Sequence, residues 1–181
     1  MDEIKKSTGA EYIKVIKEDF AKYKYLGDKT FGQLNEEDIH FTPGEDSNSI
    51  AILIQHISGN LKSRFTDFFT TDGEKLNRNR DTEFIEQNLD KEQLLKIWEE
   101  GWAVLFNLLE TIKEEDLQKI VLIRGEPHSV IEAFNRQLSH HAYHVGQIVF
   151  IGKMIRNSGW KTLSIPKGQS EEFNKSRNHP Y

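Results

Sequence analysis

The sequence predicts an all-α chain: a four-helix bundle with a long crossover between helices two and three. Three observations lead there. Four long stretches repeat apolar residues at helical spacing, strand signals are sparse, and the polar segment from Thr70 to Asp90 is too long for a tight hairpin. The 181 residues suffice for one domain with a sizeable core. No repeat or low-complexity tract divides them, so residues 1–181 read as a single domain with a less regular tail from about residue 160.

Met1 to Thr8 read as a short flexible lead. Tyr12, Ile13, Ile16, Phe20, Tyr23 and Leu26 then mark the first helix, Ala10 to about Leu34, and Asn35 to Ser47 a loop around Pro43-Gly44 that carries His40. Ser47-Asn48-Ser49 offers N-caps for a second helix, Ser49 to Phe69, striped by Ile50, Leu53, Ile54, Ile57, Leu61 and Phe65. Gly73 is read as its left-handed stop. The polar connection that follows holds a short helical piece near Thr82 to Gln87, and a connection of such length is often functional. Asp90 caps a third helix, Lys91 to Ile112, with Trp98 and Trp102 on its core stripe. Val121 to Gly125 is a short extended segment. Pro127 suits the first turn of a fourth helix that runs to Asn157.

Composition narrows the chemistry. Cysteine is absent, which excludes disulfides, thiolate metal sites and a cysteine nucleophile. A net charge of -5 argues against nucleic acid as a partner, although Asn77-Arg78-Asn79-Arg80 forms a small basic patch. No apolar run is long enough to span a membrane and no signal peptide is visible, so a cytoplasmic location is expected.

Three of the seven histidines, His140, His141 and His144, cluster in the middle of the fourth helix. His140 and His144 are four apart and share one helix face, where two imidazoles can grip one divalent ion; a polar stripe at a helix edge explains them equally well. His141, turned by about 100°, should miss such an ion, and Tyr143 should pack. His56 lies inside the second helix between core positions and should point at or beside the interior, where a lone histidine is commonly a satisfied core group. Three histidines from two apolar helices match the way bundles build metal sites. Gln147 is placed to orient a ligand or to bond a neighbouring helix, and Gly146 to admit close helix packing. Asn60 and Arg64, one and two turns after His56, either line a pocket for an anion or, for Arg64, pair with a carboxylate. Asn135-Arg136 carries the same ambiguity.

Gln55-His56-Ile57-Ser58-Gly59-Asn60 with Thr70-Thr71-Asp72-Gly73-Glu74, then Arg124-Gly125-Glu126-Pro127-His128 and His140-His141-Ala142-Tyr143-His144-Val145-Gly146-Gln147, then Trp160 with Ile165-Pro166-Lys167-Gly168, resemble the DinB-like superfamily, in a YfiT-like bacterial branch. The resemblance covers most of the chain after Asn48. It implies an up-down-down-up bundle with one crossover, a divalent metal (zinc or nickel first) held by His56, His140 and His144, and a homodimer. It further implies a metal-dependent enzyme that activates a small-molecule thiol, as S-transferases and isomerases using bacillithiol, mycothiol or glutathione do; a three-histidine metal with open positions would also lower the pKa of bound water, which gives a hydrolase. The alternative is a bundle that binds metal without turnover. No His-Glu-x-x-His pattern is present, so the zinc-peptidase reading fails, and no general base is named by the sequence.

Overall fold

A computed structural model describes residues 7–176. The chain is mostly helical, and no helix among these residues is long and apolar enough to cross a membrane. The expected lead, apart from its last two residues, and His179 lie outside the described residues.

Helix α1 (Thr8–Phe31) starts where the Ser7 hydroxyl accepts the Ala10 amide, and a one-turn α2 (Glu36–His40) follows, closed by a capping box between Asn35 and Asp38. His40 therefore ends a short helix instead of lying in a loop. Helix α3 (Ile50–Phe65) is capped by Ser49, whose Oγ accepts the Ile52 amide at 3.2 Å. It is shorter than expected: Asp67, with φ +48°, breaks it, and Gly73 is not left-handed. Gly73 instead lies against the hairpin described below, its N–H donating to the Leu122 carbonyl at 2.7 Å. A Cβ there would meet that same oxygen at 3.3 Å.

Residues 66–90 connect α3 to α4 (Lys91–Thr111), which the expected Asp90 caps in a box with Gln93. The connection contains a short 3-10 turn, Asp81–Phe84, packed on α3. Next, β1 (Ile120–Ile123) pairs antiparallel with β2 (Glu126–Ser129). Arg124 (φ +58°) and Gly125 (φ +74°) make the two-residue turn between them, the pair of positive φ values that the twist of a hairpin favours. Pro127 and His128 therefore belong to a strand, and the expected helix start gives way. Helix α5 (Val130–Arg156) begins at the capping box of Ser129 and Glu132. Asn157, with φ +46°, ends it, and α6 (Ser170–Ser176) lies in the tail.

Helix α3 lies between α4 and α5, and α1 closes the far side against α5 and α4. The shared interior is aromatic, with Phe20, Trp98, Trp102 and Phe134 all fully buried. Gly101 lets α4 approach α3, because a Cβ at that position would stand 2.9 Å from the Ser58 Cα.

Candidate metal centre

His56 projects from the middle of α3, and His140 and His144 from successive turns of α5. The packing of α3 on α5 brings the three rings together. His140 Nε2 lies 3.1 Å from His56 Nε2 and 3.2 Å from His144 Nε2. All three ligand atoms fall within 4.8 Å of one another, the grouping of metal-binding type found among the described residues. Metal–imidazole bonds of roughly 2.0–2.1 Å at tetrahedral or octahedral angles separate neighbouring nitrogens by about 2.9–3.4 Å. Both short separations lie in that range.

Hydrogen bonding decides which nitrogens carry protons. Glu83 Oε2 lies 2.9 Å from His56 Nδ1, and the His56 and Arg78 hydrogen bonds hold the Glu83 carboxyl below its usual range against the burial that would raise it. An ionised carboxylate only accepts, so His56 donates from Nδ1, and the neutral ring then keeps its lone pair on Nε2. His144 Nδ1 donates to Gln147 Oε1 at 3.2 Å, which again frees Nε2. Two lone pairs thus converge on His140 Nε2, while His140 Nδ1 is buried without a partner. One imidazole N–H cannot satisfy both lone pairs; a cation between the three rings would. Burial, reinforced by the neighbouring histidines and by Arg64 and Arg78, pushes His140 down to about 3. Burial also lowers His144. Both rings are therefore neutral near pH 7, the form that ligates.

The connection between α3 and α4 supplies what the sequence did not name. Arg78 grips Glu83 with Nε at 2.7 Å and Nη2 at 2.8 Å, a fork-on-carboxylate pair. Glu74 receives Arg64 at 2.9 Å and Arg124 at 3.0 Å. Arg64 also donates to the Gly73 carbonyl. Asp72 fastens the hairpin turn by accepting the amides of Arg124 at 2.8 Å and Gly125 at 2.6 Å. Gly59 makes room for the Glu83 side chain on α3, since a Cβ there would stand 2.8 Å from Glu83 Cδ. Glu83 and Arg78 lie in a polar stretch without periodicity. The length of that connection and the Asn77–Arg80 basic patch were the available signals.

Above the histidines lies a cavity of roughly 290 Å³. His56 and His140 form part of its wall, with Asn60 and Gln137, and five arginines form the rest: Arg64, Arg78, Arg80, Arg124 and Arg136. Among the described residues, no carboxylate lines it. Arg64 pairs with Glu74, as its ion-pair reading expects, and it also faces the cavity.

The remaining expected residues sort cleanly. His141 is fully buried away from the cluster, its ring beside Phe20 and Trp102 and its Nε2 donating to Asn60 Oδ1 at 3.3 Å. Asn135 accepts from the Tyr12 hydroxyl at 3.1 Å. Gln147 takes the orienting role. Tyr143 does not pack inside: it is 64% exposed, because the helix turn that aims His144 inward carries its predecessor to the surface. Gly146 meets nothing within 4 Å of a built Cβ, so close packing does not explain it. His40 lies 3.5 Å from Glu36 and from Glu86, and His128 sits on β2.

No curated protein matches the chain. A family model does, that of the protein family of unknown function DUF1572, over residues 7–169. The match takes in every residue of the histidine cluster and of the cavity wall, and on it the chain belongs to the DUF1572 family.

Proposed function

We propose that the chain is a divalent-metal protein of the DinB type, its four long helices forming the bundle and His56, His140 and His144 holding the ion at the floor of the arginine-lined cavity. The observation that carries this reading is the convergence of two oriented imidazole lone pairs on His140 Nε2. Three imidazoles suit zinc or nickel, among other divalent transition metals. Such an ion, when bound, draws a thiol or a water molecule toward its deprotonated form.

The residues around it favour the thiol. A water nucleophile needs a positioned proton acceptor, and the described residues of the cavity wall include no carboxylate. Glu83 is committed to His56 and Arg78 and acts as a positioning residue. A thiol, with an ordinary pKa near 8.5, needs far less help to ionise. With no cysteine in the chain, the sulfur must come from a small molecule. We therefore read the protein as a metal-dependent transferase acting on an external thiol. A bundle holding metal without turnover would be expected to seal the ion, and a cavity that reaches two of the three histidines speaks for turnover. Arg78 and Arg80 face this cavity, so the basic patch supports a small-molecule site more than a nucleic-acid surface. The exposed Tyr143, Phe150 and Met154 along α5 support a homodimer, and a cytoplasmic location completes the reading.

Elemental analysis of purified protein tests it. About one divalent ion per chain is expected for the wild type and almost none for His140→Ala; a variant that keeps its metal sinks the assignment. The metal-loaded protein should then consume glutathione, bacillithiol or coenzyme A in the presence of an electrophile.

A further inference from the structure

The cavity holds more positive charge than its surroundings neutralise. Five guanidiniums line it, and two carboxylates, Glu74 and Glu83, engage Arg64, Arg78 and Arg124 from behind. Asp72 adds a third negative charge at the hairpin turn, spent on three backbone amides, those of Glu74, Arg124 and Gly125. Arg80 and Arg136 make no ion pair with any described residue. Arg80 rests its guanidinium 4.8 Å from the Phe84 ring centre, which fixes the side chain without neutralising it. In a chain of net charge -5, such a concentration in one concave site is a local exception.

The buried donors of the wall point the same way. Arg64 is buried to 5% exposure, and its Nε, an N–H donor, has no partner among the described residues. Buried polar atoms are nearly always satisfied, and an oxyanion supplies the acceptor that this N–H lacks. Gln137, buried to 3%, lines the cavity with a side-chain amide that carries N–H donors of its own. The volume, roughly 290 Å³, lies at the bottom of the usual range for small-molecule sites, about 300–1,000 Å³. It fits a small anion or the anionic end of a slender substrate.

We propose that this cavity binds a doubly charged oxyanion group, of the phosphate monoester or dicarboxylate class, with Arg80 and Arg136 as its principal charge partners and Arg64 and Gln137 at its base. Planar guanidiniums present paired N–H donors that match two oxygens of such a group. Because His56 and His140 share the wall, the anion anchors the substrate of the proposed metal centre beside the histidines. The substrate class rests on that reading, whereas anion binding itself does not.

Titration calorimetry on EDTA-treated protein at low salt separates the two. Inorganic phosphate and succinate serve as probes, one for each class. At least one should bind without metal, and binding should weaken at least tenfold in the Arg80→Gln/Arg136→Gln double variant, as expected for lost charge-assisted hydrogen bonds. Both arginines lie at the surface, so the variant should unfold at the wild-type midpoint. His140→Ala should retain the anion. Failure of both probes to bind, or equal binding by the double variant, overturns the proposal and leaves the metal reading standing. Retained anion binding in a protein that takes up no metal would sink the metal reading and leave this one intact.

Discussion

His140 and His141 are neighbours on α5 and belong to different interiors. His141 is sealed at 0% exposure between Phe20 and Trp102, in a region that α1, α4 and α5 fill with aromatic rings. His140 turns instead to the seam between α3, α5 and the connection 66–90, where nearly every neighbour is charged or polar. Asn60 touches both, accepting from His141 and lining the cavity. One region is organised by the exclusion of water and the other by paired charges, so one helix face supports the fold while the next lines the candidate site.

The largest test of that division removes the aromatic side. Trp102→Ala deletes a fully buried indole and should cost about 3–5 kcal/mol of stability. Urea unfolding measures the loss, and Trp102→Phe serves as a milder partner should the alanine variant not fold. Whatever folds should still carry its metal, because no cluster histidine packs on Trp102. Loss of metal from a folded Trp102→Phe protein would show that the two regions are not separable.

A smaller effect is expected from Glu83→Gln on the polar side. The amide keeps the shape but removes the charge that orients His56 and neutralises Arg78. Removing such a partner commonly costs about 10–100-fold in metal affinity. Competition against a chromophoric chelator measures it, and an unchanged affinity would mean that Glu83 is only a structural partner of Arg78.

How far each region could be read beforehand follows the same line. The aromatic side was legible because burial imposes a period on α1, α3, α4 and α5, and His140, His144 and His56 stood out against that period. The charged side was not, since Glu83, Arg78 and Arg80 come from an aperiodic connection whose path is set by tertiary contacts. Arg124 enters the cavity only through a hairpin turn that residues 120–129 made hard to see. The start of α5 is legible all the same, at Ser129 and not at Pro127, since Ser129 and Glu132 spell a capping box in the sequence itself. Tyr143 is less so, because an aromatic residue on an apolar helix suggests an inward face that the orientation of His144 denies it.

The subtlest contrast between the two regions lies in their response to acid. Burial, more than the neighbouring histidines, pushes His141 well below the ordinary 6.5, so the native protein holds it neutral. The unfolded chain takes up a proton there as the pH falls past about 6.5. Where the unfolded state binds more protons, stability rises with pH. The contribution of His141 is therefore complete above about 6.5 and drains away as the pH falls from there toward the folded value, at a limiting slope of about 1.4 kcal/mol per pH unit. His140 and His144, also lowered, act in the same direction, but their partial exposure softens the effect. Urea midpoints of EDTA-treated protein should accordingly decline between pH 7 and 5. His141→Gln keeps a donor for Asn60 and cannot titrate, so it should flatten that decline by up to one proton's slope. A decline as steep as that of the wild type would mean that His141 is not sealed from water as its surroundings require.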